Sequence, residues 1–135
     1  IKRLNDILGT CANKELKSDD MTASQIKMLI IISETKNESI TLKELEKHFG
    51  VSQATVAGIV ARLEKKAMIE SFYAPDDKRV KHVKLTDKGR GVCKHAWANM
   101  VKNEEWFLSS LDDDEKEELW RLLQKIYDNM RRNEV

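Results

Sequence analysis

The chain has few of the residues that interrupt regular structure, and it has no long apolar run. Its 135 residues include 1 Pro and 5 Gly, which leaves room for long uninterrupted helices. The longest apolar run, Met28 to Ile32, is far too short to span a bilayer, so no membrane partner is expected. The two cysteines, Cys11 and Cys93, do not make a disulfide framework. These features predict one cytoplasmic protein domain with a modest core.

Motifs for catalysis and metal binding are also scarce. No Gly-rich phosphate loop and no cluster of His residues or paired carboxylates stands out. Cys93 and His95 are too few for a zinc site, which needs four ligands, or three and a water. The acidic run from Asp112 to Glu118 is typical of a solvated, capped helix start. We therefore expect a protein that is not an enzyme and that has no metal or cofactor.

Charge is distributed unevenly along a chain whose net charge is only +1. The segment from Thr41 to Arg90 has 11 Lys and Arg against 7 Asp and Glu, a net charge of +4. The remainder has 13 against 16, a net charge of −3. A basic segment in an otherwise acidic chain is typical of a phosphate-facing surface, although scattered surface charge would give the same count.

Capping motifs and apolar spacing predict six helices. Capping boxes at Thr22-x-x-Gln25 and Thr41-x-x-Glu44 open the second and third helices. Gly50 ends the third helix and Ser52 caps the fourth, which is the layout of a helix-turn-helix. The first helix precedes Ser18-Asp-Asp20, and two long helices follow Thr86 and Asp112.

Residues 69 to 85 predict a β-hairpin. Ile69 to Tyr73 is rich in β-branched and aromatic residues, and Val80 to Leu85 alternates apolar with polar. Pro75-Asp-Asp-Lys78 has turn chemistry, and we expect a loop longer than two residues. Ile40 is expected to begin another short strand. The fold class is therefore mainly α with a small β-hairpin wing, a winged helix-turn-helix between terminal helices.

The apolar stripes of the terminal helices are too large for one small winged core. A two-fold dimer would cover them most simply, and an internal bundle is the alternative.

Several motifs, in order and correctly spaced, make the chain similar to one family. Asp77-Lys-Arg79 followed by Val83-Lys-Leu-Thr-Asp-Lys-Gly89 is similar to a wing signature, and Met21 to Gln25, Ser52 to Val56 and Leu63 to Lys66 add to the match. On these residues the chain resembles the MarR (multiple-antibiotic-resistance regulator) family of bacterial winged-helix transcription regulators, over nearly its whole length.

The resemblance implies a domain organisation and a set of partners. It implies a single domain, 1–135, with a DNA-binding lobe at 36–90 and dimerisation helices at 1–18 and 91–135. It also implies a homodimer that binds a pseudo-palindromic operator in double-stranded DNA, and it implies that the protein is a ligand-responsive repressor.

The fourth helix is expected to read bases in the major groove, where the N-terminal residues of a recognition helix reach base edges. The expected DNA contacts on this helix are Ser52, Gln53, Ala54, Thr55, Gly58 and Arg62. The family often has a Ser/Thr-Arg pair where this chain has Ala57-Gly58, so we expect fewer direct base contacts here and more weight on phosphates and DNA shape.

The hairpin tip supplies the remaining expected contacts. Lys78, Arg79 and Lys81 crowd the tip, and the resemblance places Arg79 in the minor groove, where a guanidinium reads groove shape. Asp77 is expected to fix the direction of Arg79, a structural role. Lys43, Lys65, Lys66, Lys84 and Lys88 are further candidates for phosphate contacts.

The resemblance also implies a small aromatic or anionic effector. Met21, Met28, Trp97 and Met100 could line its pocket, although core packing explains each of them as well. Cys11 on the apolar face of the first helix favours a small buried hydrophobe over a redox sensor. A winged-helix module that binds protein instead of DNA is the alternative function.

Overall fold

The computed structural model describes residues 1–18 and 20–133. Its helices are α1 (Lys2–Ser18), α2 (Ala23–Ser33), α3 (Leu42–Phe49), α4 (Gln53–Lys65), α5 (Asp87–Leu108) and α6 (Asp113–Asn133). Its strands are β1 (Ser39–Thr41), β2 (Ile69–Ala74) and β3 (Asp77–Leu85), and a 3-10 turn at Lys36–Glu38 precedes β1. This architecture confirms the predicted fold class. Asp19, within the predicted end of the first helix, and residues 134 and 135 lie outside the described residues.

The chain forms two compact units, Ile1–Ala96 and Trp97–Val135. The first unit contains α1 to α4, the sheet and the start of α5, and the second contains the rest of α5 and all of α6. The predicted lobe at 36–90 lies within the first unit. Its separation from dimerisation helices at 1–18 and 91–135 stays a prediction.

The three strands form an antiparallel sheet in the order β1-β3-β2. Ile69 pairs with Leu85, Ser71 with Val83 and Tyr73 with Lys81. Since side chains alternate across a strand, these residues share one face. That face is buried at Ile69 and Leu85 and becomes exposed at Tyr73. The side chains on this face of the hairpin therefore become more exposed towards its tip.

The predicted loop of more than two residues was wrong. Only Pro75 and Asp76 connect β2 to β3. The irregularity lies instead in the pairing: Tyr73 pairs with Lys81 but Ala74 pairs with Asp77. The intervening residues of β3 therefore bulge out of the ladder, and a bulge of this kind redirects side chains near a strand end.

The core of the first unit lies where α2, α3 and α4 pack with the sheet. The largest fully buried side chains are Met28, Leu29, Ile32, Leu45, Leu63, Val56 and Val83. Leu63, Val56 and the nearby Ile59 and Val60 form the buried face of α4, so the opposite face of α4 is available to solvent.

The predicted helix caps are confirmed by their hydrogen bonds. The Thr22 hydroxyl accepts from the backbone of Gln25 at 3.2 Å, and the Gln25 side chain accepts from the backbone of Thr22 at 3.3 Å. Gly50 ends α3 with φ of 61°, a left-handed conformation that glycine adopts without steric cost. Asp112 and Glu115 make the reciprocal bonds at the start of α6.

The terminal helices expose much of their apolar surface. Leu4 and Ile7 of α1 are each more than half exposed. In the second unit the exposed apolar side chains are Trp97, Met100, Val101, Trp106, Trp120, Leu122, Leu123, Ile126, Tyr127 and Met130. None of the helices in the described ranges is both long and apolar enough to cross a membrane.

Candidate nucleic-acid interface

The N-terminus of α4 presents a small polar surface to solvent. The Ser52 hydroxyl accepts a hydrogen bond from the Thr55 backbone at 3.3 Å and lies 3.0 Å from the Thr55 hydroxyl. Gln53 and Ala54 beside them are exposed. The cap therefore fixes two of the predicted base readers relative to each other and leaves Gln53 as the long side chain at this end.

The middle of the exposed face of α4 has only small side chains before Arg62. Ala57, Ala61 and Arg62 are exposed, and a Cβ added at Gly58 would meet nothing within 4 Å. No packing contact in the described chain therefore requires glycine at this position. A glycine in a helix costs about 1 kcal/mol relative to alanine, so packing within the chain does not explain the glycine.

At the hairpin tip the Arg79 side chain lies in solvent, and Asp77 holds its backbone N–H and its Nε. The Asp77 carboxylate accepts from the Arg79 backbone at 3.0 Å and from Arg79 Nε at 3.4 Å. The Arg79 side chain is 93% exposed, and Lys78 beside it is also exposed. Asp77 therefore restrains the Arg79 side chain, and the use of this arrangement in DNA binding stays a prediction.

Lys81 differs from the other basic residues of the hairpin. Its ammonium lies 3.9 Å from Glu64 Oε2 on α4, and it is only partly exposed. Ser71 on β2 donates its hydroxyl to Oε1 of the same carboxylate. Lys81, which the sequence predicts as a DNA contact, thus also joins the wing to α4. Sequence reasoning missed this second contact. Glu64 gave no signal in the sequence because its partners lie 7 and 17 residues further along the chain.

Two of the predicted phosphate contacts bind other parts of the first unit. Lys66 donates to the backbone oxygen of Asp20 and, at 3.3 Å, to the side chain of the buried Gln25. Lys88 donates to the backbone oxygen of Lys66 at 2.9 Å. These bonds tie the C-terminal end of α4 to the start of α2 and to α5.

The Leu-Thr-x-x-Gly part of the wing signature has a structural role. Thr86 donates its hydroxyl to the Ala67 carbonyl at 2.7 Å and accepts from the Gly89 backbone at 3.1 Å. A Cβ at Gly89 would overlap the carbonyl oxygen of Met68. The motif therefore joins α5 closely to the segment that follows α4.

The candidate effector residues fall in different settings. Met21 and Met28 are buried in the core of the first unit, whereas Trp97 and Met100 are exposed in the second. Met21 also lines a cleft of about 490 Å³ in the first unit, together with Met68, Val92 and other residues. Met28 is a core residue, which was the alternative to its predicted role in an effector pocket.

The cysteines differ in accessibility. Cys93 is buried, and burial raises the pKa of its thiol, with a further rise from the charge of Glu38. A raised thiol pKa lowers the thiolate fraction and hence the reactivity. Cys11 on α1 is partly exposed. No group of three or more His, Cys, Asp or Glu in the described part of the chain could hold a metal ion.

The chain is similar in sequence to known transcription regulators. A protein-family model for the MarR family matches residues 21–81. The HTH-type transcriptional regulator BilQ of Clostridioides difficile CD3 is 30% identical over 121 residues, covering 85% of this chain and 76% of BilQ. The transcriptional repressor MprA of Escherichia coli K12 is 28% identical over 114 residues, and the match covers 84% of this chain. The chain spans 65% of the length of MprA.

Solved structures share the fold. Wild-type MarR from E. coli in its apo form superposes with a TM-score of 0.78 at 29% identity, covering 93% of this chain and 95% of that chain. The S. aureus MepR–DNA complex gives a TM-score of 0.77, with 96% of each chain covered, and at 21% identity it shows the fold alone.

Proposed function

The chain belongs to the MarR family, and we propose that it is a dimeric, cytoplasmic transcription regulator that binds double-stranded DNA as a ligand-responsive repressor. In this proposal α4 enters the major groove and Arg79 enters the adjacent minor groove. One observation carries it: a single compact unit exposes both the capped polar N-terminus of α4 and an arginine held by Asp77 at the tip of a hairpin. The matching relatives bear the names of regulators, not of enzymes.

The two elements have unequal roles in the proposal. The exposed face of α4 offers one long polar side chain near its start, Gln53, and a guanidinium at Arg62. Gln pairs with adenine through two hydrogen bonds. Ala57 and Gly58 have no long side chain, so this part of α4 can approach the DNA backbone but reads no base by hydrogen bonding. We therefore assign much of the selectivity to Arg79, which reads the width of the minor groove.

The dimer rests on the exposed apolar stripes of α1 and α6. Such a large exposed apolar surface is typical of a surface that is covered by another protein, and a second copy covers it with two-fold symmetry. A two-fold dimer presents two α4 helices to half-sites of a pseudo-palindromic operator, about 10 base pairs apart.

The effector part of the proposal rests on the cleft beside Met21. The cleft is lined by the apolar Met21, Met68 and Val92, by Lys66 and Lys88, and by Asp20, whose carboxylate lies 3.8 Å from the Lys66 ammonium. A small molecule with an apolar or aromatic body suits this lining, and an anionic group on it would pair with the lysines in competition with Asp20. Binding would regulate the protein only through unequal affinity for DNA-bound and free conformations.

A gel-shift experiment separates this function from its alternative, a winged-helix module that binds protein. The probe is the region upstream of the protein's own gene, and the salt concentration is low because phosphate contacts are strongest there. We expect a shifted band with the parent protein and a weaker one with Arg79→Ala. Absence of any shift with the parent would favour the protein-binding alternative.

A further inference from the structure

Glu64 places a carboxylate on a lobe that the proposed function brings against phosphates. It lies near the end of α4, the recognition helix, where its carboxylate contacts the hairpin. Its side chain is 31% exposed. A negative charge there repels DNA, so on electrostatic grounds alone its removal should tighten binding. Its contacts indicate why it is present.

Both oxygens of the Glu64 carboxylate are used, and each joins α4 to a different strand. Oε1 accepts from the Ser71 hydroxyl on β2, and Oε2 lies 3.9 Å from the Lys81 ammonium on β3. Ser71 pairs with Val83, so Lys81 is the next residue along the same face of the sheet. One side chain of the recognition helix therefore contacts the two strands of the wing side by side.

This contact lies where the hairpin leaves the core. Val83 on the same face is fully buried, whereas Tyr73 opposite Lys81 is more than half exposed. Beyond Ser71 the strand runs three more residues to Ala74, about 10 Å at ~3.3 Å per residue. A small change of angle at Glu64 is therefore amplified at the tip that holds Arg79.

We propose that Glu64 is a positioning residue that holds the wing at a fixed angle to the recognition helix, so that α4 and Arg79 fit adjacent grooves together. This inference rests on the proposed DNA-binding function. It gives Lys81 a role through Glu64 in place of a direct contact with phosphate. A partly exposed ion pair at 3.9 Å contributes little to stability, so the effect of Glu64 lies in the geometry of binding and not in the fold.

The test uses the parent protein and Glu64→Gln, which keeps the size of the side chain and an acceptor for Ser71 but loses the charge that attracts Lys81. Each is titrated against a duplex that the parent has selected from a random library, and against a scrambled duplex of equal composition. Glu70→Gln is the matched control. It removes a like charge from the hairpin itself, where Glu70 pairs with Lys84 at 3.2 Å on the face opposite to that of Ser71 and Lys81.

We expect Glu64→Gln to bind the selected duplex roughly fivefold to tenfold more weakly than the parent, with unchanged or tighter binding to the scrambled duplex. Glu70→Gln should bind the selected duplex at least as tightly as the parent. The salt dependence of Glu64→Gln should equal that of the parent, since no phosphate contact is lost. Combining Glu64→Gln with Lys81→Met should weaken binding no more than either change alone.

Two results would overturn the positioning role while leaving DNA binding intact. One is equal or tighter binding of the selected duplex by Glu64→Gln. The other is additive losses in the double variant, with Lys81→Met lowering the salt slope by about one, the loss expected for a direct phosphate contact. If the parent selects no sequence from the library, the proposed function falls and this inference falls with it.

Discussion

Asp77 holds Arg79 by two hydrogen bonds, from the backbone N–H at 3.0 Å and from Nε at 3.4 Å, while the arginine side chain stays almost fully exposed. The bonds use the backbone and the inner nitrogen of the guanidinium. The two terminal nitrogens remain available to a ligand. An exposed side chain that is already restrained near the backbone loses less conformational entropy on binding than an unrestrained one.

Replacing Arg79 should weaken DNA binding without affecting the fold. Arg79→Ala removes the guanidinium, and we expect roughly tenfold weaker binding of a selected duplex, the order of a lost specific arginine contact. Arg79→Lys keeps the charge but loses the planar donor group, so its loss should be intermediate. Fluorescence anisotropy gives the affinities, and thermal unfolding should give nearly the same melting temperature for all three proteins. Parent-like binding by Arg79→Ala would remove the wing from the interface.

Gly58 offers a test in which stability and binding change in opposite directions. Because an added Cβ meets nothing within 4 Å, Gly58→Ala should raise the melting temperature by roughly 4 °C, the equivalent of about 1 kcal/mol. If the glycine permits close approach of the DNA backbone, the same variant should bind the selected duplex more weakly. Ala57→Gly is the converse control: it should lower stability. Unchanged DNA affinity in Gly58→Ala would show that α4 does not approach DNA at this point.

We expect Glu44 to make the stability of the protein depend on pH. The Thr41 backbone N–H, followed by the Thr41 hydroxyl, donates to the Glu44 carboxylate and holds its pKa below the ordinary value. A carboxyl whose pKa is lowered in the folded protein stabilises it above the unfolded-state pKa, and that contribution is lost as pH falls through the folded pKa. Glu44→Gln keeps a capping side chain but has no charge.

Urea unfolding of the parent and Glu44→Gln at pH 7 and at pH 3 measures this contribution. The parent should be more stable at pH 7, and the difference between the two proteins should shrink at pH 3. A difference of equal size at both pH values would assign the effect to packing and not to ionisation.

The dimer prediction concerns α6, where Leu123 is 55% exposed. A parent dimer should sediment at about twice the 15.6 kDa of one chain. Leu123→Asp introduces a charge into the apolar stripe and should give monomers with weakened operator binding. Glu117→Lys lies on the opposite helix face by the 3.6-residue period and should remain dimeric. A monomeric parent at micromolar concentration would contradict the half-site arrangement.

Local signals in the sequence predicted most of the fold. Thr22, Thr41 and Ser52 cap helices through residues only three positions away, and Gly50 acts through its own backbone, so the sequence alone reveals these roles. The site was predicted less completely. The bulge in β3 depends on how two strands pair, and the contact of Glu64 with Ser71 and Lys81 exists only after the hairpin has folded back against α4. Such long-range contacts leave no periodicity to detect.

The most direct test of the account is a dimethyl sulfate footprint of the parent and of Arg79→Ala on the selected duplex, because this reagent reports guanine N7 in the major groove and adenine N3 in the minor groove. We predict that the parent protects guanines in two half-sites about 10 base pairs apart, with protected adenines beside each half-site. Arg79→Ala should keep the guanine protection and lose the adenine protection. Identical footprints for the two proteins, or no protection at low salt, would contradict the assignment of α4 to the major groove and of Arg79 to the minor groove.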